Sequence, residues 1–298
     1  MQATDWNDYQ AFLAIARTGQ ISRAAASMGV DPTTLGRRLR RLEARLGTSL
    51  FEQTRTGQIL TEAGEAMLAS VEAMEQSAAQ IAENTAGAGG PAGLLRVSVS
   101  EGFGNCLVAQ NIHEFSASYP LLSIDLVANN GFLSPSKREA DIAVTLSRPK
   151  AGPVVAGKLA EYALQLYGPA KYLTPAKIPR DHRELLHRFR LVGYIPDLLY
   201  APELNYLDEL QPGLTPSLRS SSIRAQQKMI AAGAGIGILP CFLGEEDPDL
   251  VKLLPDWRLT RSFWVVTHKD TRHLAKIRAF RDWLQKLVED NRHRLRPG

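Results

Sequence analysis

Residues 31–47, DPTTLGRRLRRLEARLG, place five arginines (37, 38, 40, 41 and 45) within nine positions and include no lysine. A guanidinium is a planar fork of donors that fits two phosphate oxygens or the O6/N7 edge of guanine, whereas an ammonium offers only a point charge. The charge is local. From Arg17 to Arg55 eight arginines face Asp31, Glu43 and Glu52, a net of +5, whereas the whole 298-residue chain carries +4. The remainder is close to neutral, so a polyanion would be met at one end of the chain.

The elements that must position these arginines can be read from caps and periodicity. Residues 6–16 carry apolar side chains at helical spacing and stop at Gly19. SRAAASMG follows, with Ser22 as its expected N-cap and Gly29 as its stop. Asp31 caps the arginine helix, Pro32 suits its first position because the missing N–H costs nothing there, and Gly47 ends it. Two short helices joined by a glycine-containing turn make a helix-turn-helix. On a helical wheel Leu35, Leu39, Leu42 and Leu46 share the face expected to be buried, with Thr33, Arg37, Arg40 and Arg41 opposite and Thr34 and Arg38 at the flank. A merely solvated face would mix acids and bases in i,i+4 pairs. This one lacks the acids, which favours double-stranded DNA as the partner.

SLFEQTRTGQILTEAG then reads as a β-ribbon turning at residues 55–58, a wing from which Arg55 can reach a phosphate or the minor groove. A helix opening at Thr61 carries Met67, Val71, Met74, Ala78 and Ile81 at spacings of 4, 3, 4 and 3. That is the seam of a coiled coil that would pair two chains, the alternative being the stripe of a helix packed on its own domain.

TAGAGGPAG, residues 85–93, marks the domain boundary. Beyond it LLRVSVS, LSIDLVA, ADIAVTL, LQLYG, FRLVGYI, GIGIL and SFWVVTH read as strands, with helices from about 104 to 119, near Ser222, and over 271–293. Alternating strands and helices imply a parallel sheet. Enzymatic readings find no support: there is no GxSxG, the six histidines lack metal-ligand spacing, and GAGIG at 233–237 lacks the third glycine of a dinucleotide loop. Cys106 and Cys241 form no CxxC pair and read as small buried residues. The expectation is therefore no catalytic residue, no metal and no cofactor. No apolar run has bilayer length, and the opening MQATDWNDYQ is not a cationic-then-apolar leader, which points to the cytoplasm and to no membrane.

The run FLAIARTGQISRAAASMGVDPTTLGRRLRRLEARLGTSLFEQTRTGQILTEAGE resembles the N-terminal signature of LysR-type transcriptional regulators, and AGAGIGILPCFL resembles a segment of their second lobe. The resemblance covers essentially the whole chain. It implies an all-α winged helix-turn-helix over 1–60, a dimerising linker helix and hinge over 61–93, and an α/β two-lobed effector domain over 94–298 like type 2 periplasmic binding proteins. Lobe I would take about 94–161 and 267–298, and lobe II about 162–266. A homodimer or homotetramer, a small-molecule effector and contact with RNA polymerase are implied as well. By position, Thr33, Thr34, Arg37, Arg38 and Arg41 would meet DNA, with Arg55 on the wing. Two departures stand out: Asp31-Pro32-Thr33 replaces the Ser-Gln-Pro of many members, and Gln53 stands where a basic residue is frequent.

The same resemblance places the cleft at Ser100, Glu101, Gly102, Asn129, Asn130 and Thr145 from lobe I, and at Gly193, Tyr194, Ser221 and Ser222 from lobe II. These are strand C-termini and helix N-termini, where amide and hydroxyl donors hold small ligands. Glu101 disfavours an anion there unless Arg224 or Lys228 offsets it. The competing reading of the whole chain is a solute-binding or enzymatic α/β protein with an incidental basic helix.

Overall fold

The computed structural model describes residues 5–55, 57–85, 90–129, 131, 133–137, 139–173 and 182–297. The chain divides into two compact units, Met1–Gly87 and Ala88–Gly298.

In the first unit α1 (Trp6–Thr18), α2 (Ile21–Met28) and α3 (Pro32–Leu46) are followed by the two-stranded ribbon β1 (Phe51–Thr54) and β2 (Gly57–Leu60), and by α4 (Glu62–Thr85). Asp5 and Asp31 cap α1 and α3 by accepting the amides of Asn7 and Thr33, at 3.0 and 2.8 Å. The first helix pair is set differently from the sequence expectation: α2 begins at Ile21 after Gln20, so Ser22 lies within it and caps nothing. The ribbon is tighter than expected: Gly57 and Gln58 pair with Thr54 and Gln53 in the ladder and do not belong to the turn, and Thr56 lies outside the described residues. Gly57 could be no other residue. A Cβ there would sit 2.2 Å from the Gly19 carbonyl oxygen, which also accepts the Gln58 amide at 2.7 Å. The wing is thus fixed against the turn between α1 and α2.

One small core holds this unit, built from Phe12, Leu13 and Ile15 of α1, Ala24 and Ala25 of α2, Leu35, Leu39 and Leu42 of α3, Leu50, Phe51 and Val71. Two sequence expectations change here. Leu46 is 43% exposed, because the buried stripe of α3 ends at Leu42 and Leu50 and Phe51 close the core beyond it. Val71, placed by spacing in an intermolecular seam, is 1% exposed inside this core, with Met67 and Leu68 packed beside it. The first half of α4 therefore belongs to the head, where Arg17 and Glu75 also tie it to α1 at 2.6 Å. Farther along, Met74 and Ala78 are exposed, and the side chain of Ile81 lies outside the described residues.

The second unit contains β3 (Gly93–Ser100), α5 (Glu101–Phe103), a π turn (Gly104–Val108) and α6 (Ala109–Ser118), then β4 (Leu122–Asn129), β5 (Ile142–Thr145) and the long β6 (Val154–Pro169). It continues with α7 (His182–Arg188), β7 (Leu191–Gly193), α8 (Leu207–Leu210), β8 (Leu218–Arg219), α9 (Ile223–Ala231), β9 (Ile236–Pro240), α10 (Cys241–Gly244) and β10 (Leu250–Leu253). β11 (Leu259–His268), α11 (Ala275–Asp290) and α12 (Arg292–Leu295) complete it.

The strands follow the order β4-β3-β5-β11-β6-β9-β7-β8, with β10 also on β6. β3 is parallel to β4 and β5, and β7 to β8 and β9. The expected all-parallel sheet is interrupted at its centre, where β11 runs antiparallel to both β5 and β6. The cause is topological. A chain that leaves one lobe to build the other and then returns must cross twice in opposite directions, so the crossing strands pair antiparallel. On β6 the stretch from Val154 to Leu164 pairs with β11, and Leu164–Tyr167 pairs with β9. On β11 the register shifts between Phe263 and Trp264, and Trp264, Val265 and Val266 lie beside β5. The last helix is shorter than 271–293, since α11 opens only at Ala275 and a break at Asn291 separates α12.

The burial of Val71 gives a test. Val71→Asp places an unpaired charge in the head core and should cost it about 3 kcal/mol, whereas Met74→Asp, on the exposed side, should cost less than about 0.5 kcal/mol. Hydrogen exchange of the α1 and α3 amides reports this. Loss of protection in Met74→Asp but not in Val71→Asp would reverse the assignment of α4's two faces.

Candidate functional site

Two sites are set by these elements, one in each unit. In the head, burial of Leu35, Leu39 and Leu42 turns the other side of α3 outward. Thr33, Arg37 and Arg40 are exposed there, Thr34 and Arg38 are half-buried at its edge, and Arg55 is exposed on the ribbon turn. The Asp31 carboxyl, held below its ordinary range by the Thr33 amide, stays ionised at the start of this helix.

Arg41 departs from the expected set. Its Nε donates to Asp8 Oδ2 at 2.8 Å, and its Nη2 pairs with Asp8 Oδ1 and, at 3.5 Å, with Asp5. Asp8 is fully buried on α1, and Arg45 approaches it at 3.6 Å. A buried carboxylate needs cations around it, so Arg41 and Arg45 are spent on joining α3 to α1. The arginine cluster thus has two jobs. Residues 37, 38 and 40 face outward, and residues 41 and 45 hold the helix that presents them.

In the second unit the cleft lies where the two halves of the sheet meet. Ser100, Gly102 and Tyr194 line a cavity of about 30 Å³, room for one water molecule, together with Tyr162, Tyr200, Tyr206, Phe242 and Phe263. Tyr162 stacks on Phe263 at 4.2 Å, and Phe103 meets Phe263 at 4.5 Å. The Tyr206 hydroxyl donates to the Ile238 carbonyl at 3.2 Å. Burial pushes the hydroxyls of Tyr162, Tyr194, Tyr200 and Tyr206 far above their ordinary range, so all four remain protonated donors.

Glu101 does not lie loose in this cleft. Its Oε1 accepts the Ser222 hydroxyl at 2.8 Å and its Oε2 accepts the Ile223 amide at 3.0 Å. The cations expected to offset it face elsewhere: Arg224 donates to Gln227 at 2.8 Å, and Lys228 lies 3.5 Å from Asp247. Ser221 is half-buried just before this contact.

Other expected residues do structural work. Thr145 donates to the Ser147 carbonyl at 2.7 Å, and Asn129 accepts the Gly131 amide at 3.2 Å in a turn at the sheet edge. Gly193 packs under Pro216 and Leu207 at the end of β7, where a Cβ would have 3.1–3.2 Å of clearance. Asn130 lies outside the described residues. The tyrosines at 162, 200 and 206 were not anticipated, since they come from separate segments and share no spacing that marks them. Burial pushes both cysteine thiols up as well, which keeps them unreactive. Among the described residues no group of three or more His, Cys, Asp or Glu is placed to hold a metal, and no helix is long and apolar enough to cross a membrane.

An outward arginine face on a winged helix-turn-helix, carried on the same chain as a two-lobed unit with a cleft, defines a ligand-responsive DNA-binding regulator. Comparison with known proteins says which kind. Residues 6–65 match the bacterial regulatory helix-turn-helix protein model of the lysR family, and residues 88–289 match the LysR substrate binding domain. The chain belongs to the LysR family of transcriptional regulators. It is 27% identical over 293 residues to the Mau operon transcriptional activator of Paracoccus denitrificans, covering 96% of this chain and 97% of that protein. It is 26% identical over 292 residues to the HTH-type transcriptional regulator PtxR of Pseudomonas aeruginosa, covering 94% and 92%. Among solved structures, a cysteine variant of full-length OxyR from Pseudomonas aeruginosa shares the fold with a TM-score of 0.73 at 20% identity, covering 96% of each chain. CrgA of Neisseria meningitidis shares it at 0.56 and 24%, covering 97% of this chain and 99% of that one.

The pairing of Arg41 separates folding from recognition. Arg41→Ala should lower the melting temperature of the head yet leave the slope of log affinity against log salt unchanged. Removing a phosphate contact would instead reduce that slope by about one. A reduced slope in Arg41→Ala at unchanged melting temperature would make it a DNA contact.

Proposed function

We propose that Thr33, Thr34, Arg37 and Arg38 enter the major groove of an operator while Arg55 on the wing holds the backbone or the adjacent minor groove. The observation that carries this is the α3 surface itself: one side is locked into the head core and the other presents arginines outward. Two such heads are held in one assembly by the face of α4 that carries the exposed Met74 and Ala78, as a homodimer or homotetramer. The assembly works in the cytoplasm beside RNA polymerase and performs no catalysis. Its effector is a small uncharged molecule that opens the tyrosine-lined cavity, because the cavity offers rings and neutral hydroxyl donors. It acts only through its different affinity for two arrangements of the DNA-bound protein.

Gel shift against the DNA flanking the protein's own coding region tests the first part. Arg37→Ala should cost about 1–3 kcal/mol and relax sequence preference, while Arg55→Ala should weaken all sequences alike. Affinity should fall steeply with salt as counterions are released, and binding indifferent to salt would rule the interface out. For the cleft, a thermal-shift screen of the full chain with small neutral aromatics should yield a compound that stabilises by mass action. Its effect should vanish in Ser100→Ala and Tyr200→Phe. Stabilisation that survives both substitutions would put the ligand elsewhere.

A further inference from the structure

Glu101 opens α5 in one lobe, but both oxygens of its carboxylate are used in the other. They accept the Ser222 hydroxyl at 2.8 Å and the Ile223 amide at 3.0 Å, at the start of α9. The first amides of a helix have no partner within it and carry partial positive charge, so an anion there is favoured on two counts. Ser222 takes one of those amides itself, accepting from Ala225 at 3.0 Å, and Glu101 takes that of Ile223, the first of the helix. No positive side chain competes for the carboxylate along α9, since Arg224 turns to Gln227 and Cys106 and Lys228 to Asp247. A second hydrogen bond joins the lobes at another point, from the Ser147 hydroxyl to the Glu203 carboxylate. Covalently, the lobes are linked by β6 and β11 alone within the described sheet.

We propose that Glu101 is a built-in latch. Its carboxylate fills the donors at the head of α9 and holds the two lobes together with no bound anion, so an external carboxylate reaches those donors only by displacing it. This rests on reading the cleft as the regulatory site. It adds that the cleft has a closed state set by a side chain of the protein, and that opening it means parting Glu101 from Ser222 and Ile223.

Chemical rescue tests the latch on the full-length protein, melted in chloride and in acetate at equal ionic strength. Wild type should melt at the same temperature in both. Glu101→Ala should melt roughly 2–4 °C lower in chloride. In about 100 mM acetate it should regain at least half of that loss, because the small carboxylate takes the vacated place. Glu101→Gln fills the space but offers one acceptor oxygen, so it should melt lower than wild type and ignore acetate. The latch is overturned if wild type and Glu101→Ala gain equally from acetate, or if Glu101→Ala melts like wild type in chloride. Should Glu101→Ala not fold, Glu101→Gln decides: a midpoint equal to wild type overturns the proposal and a lower one supports it. The neutral aromatics of the effector screen do not enter these melts, so a failed effector site in the cleft and a failed latch give different results.

Discussion

The second unit depends on two strands that must each serve both lobes. β6 and β11 run side by side through the middle of the sheet, and each changes neighbours partway along its length. On β11 the change coincides with an irregularity, the register shift between Phe263 and Trp264 where pairing with β5 begins. Rings gather at that point, with Phe263 stacked on Tyr162 and touching Phe103. The crossing therefore positions the cavity as well as the lobes, because the cavity wall is made of the residues that flank it. Parallel strands on either side end toward the same seam, which is where free helix N-termini and polar side chains collect in sheets of this kind.

The head solves a different problem with the same economy of parts. Its core is small, and a helix whose outer face is nearly all arginine repels itself. Burying Asp8 on α1 answers both difficulties, because the carboxylate draws Arg41 and Arg45 inward and leaves fewer like charges outside. Arg17 is similarly taken up by Glu75. The net charge of this segment is thus only partly available to a partner, and the part that remains outward is narrower than the sequence count implies.

Much of this architecture was legible in the sequence, and the illegible parts share a cause. Helix starts and stops in the head could be read because Asp31, Pro32, Gly29 and Gly47 act on their own neighbours. The wheel correctly turned Leu35, Leu39 and Leu42 inward, but it could not show that Leu46 overruns the core, since that depends on Leu50 and Phe51 beyond the turn. Arg41 looked like its neighbours because its partner lies 33 residues away on another helix. The seam of α4 had the same fault: a stripe of apolar residues says that something covers it, not which chain supplies the cover. β6 was recognised only in its second half because its first half, VVAGKLAE, mixes exposed and half-buried residues around one buried leucine, Leu159, beside a single neighbour. Of the cavity's lining, Ser100, Gly102 and Tyr194 are among the residues the family resemblance names, whereas the tyrosines at 162, 200 and 206 come together only through the tertiary path of the chain.

The inclusion of Val71 in the head core changes what α4 is mechanically. A 24-residue helix is about 36 Å long, and its near end is not a joint but a cantilever root, fixed among α1 and the leucines of α3. The arm beyond Val71 is about 21 Å long, so tilting it by five degrees moves its far tip by about 2 Å. Whatever grips that tip can therefore turn the arginine face by steering the whole head as a rigid tool, without bending anything inside it.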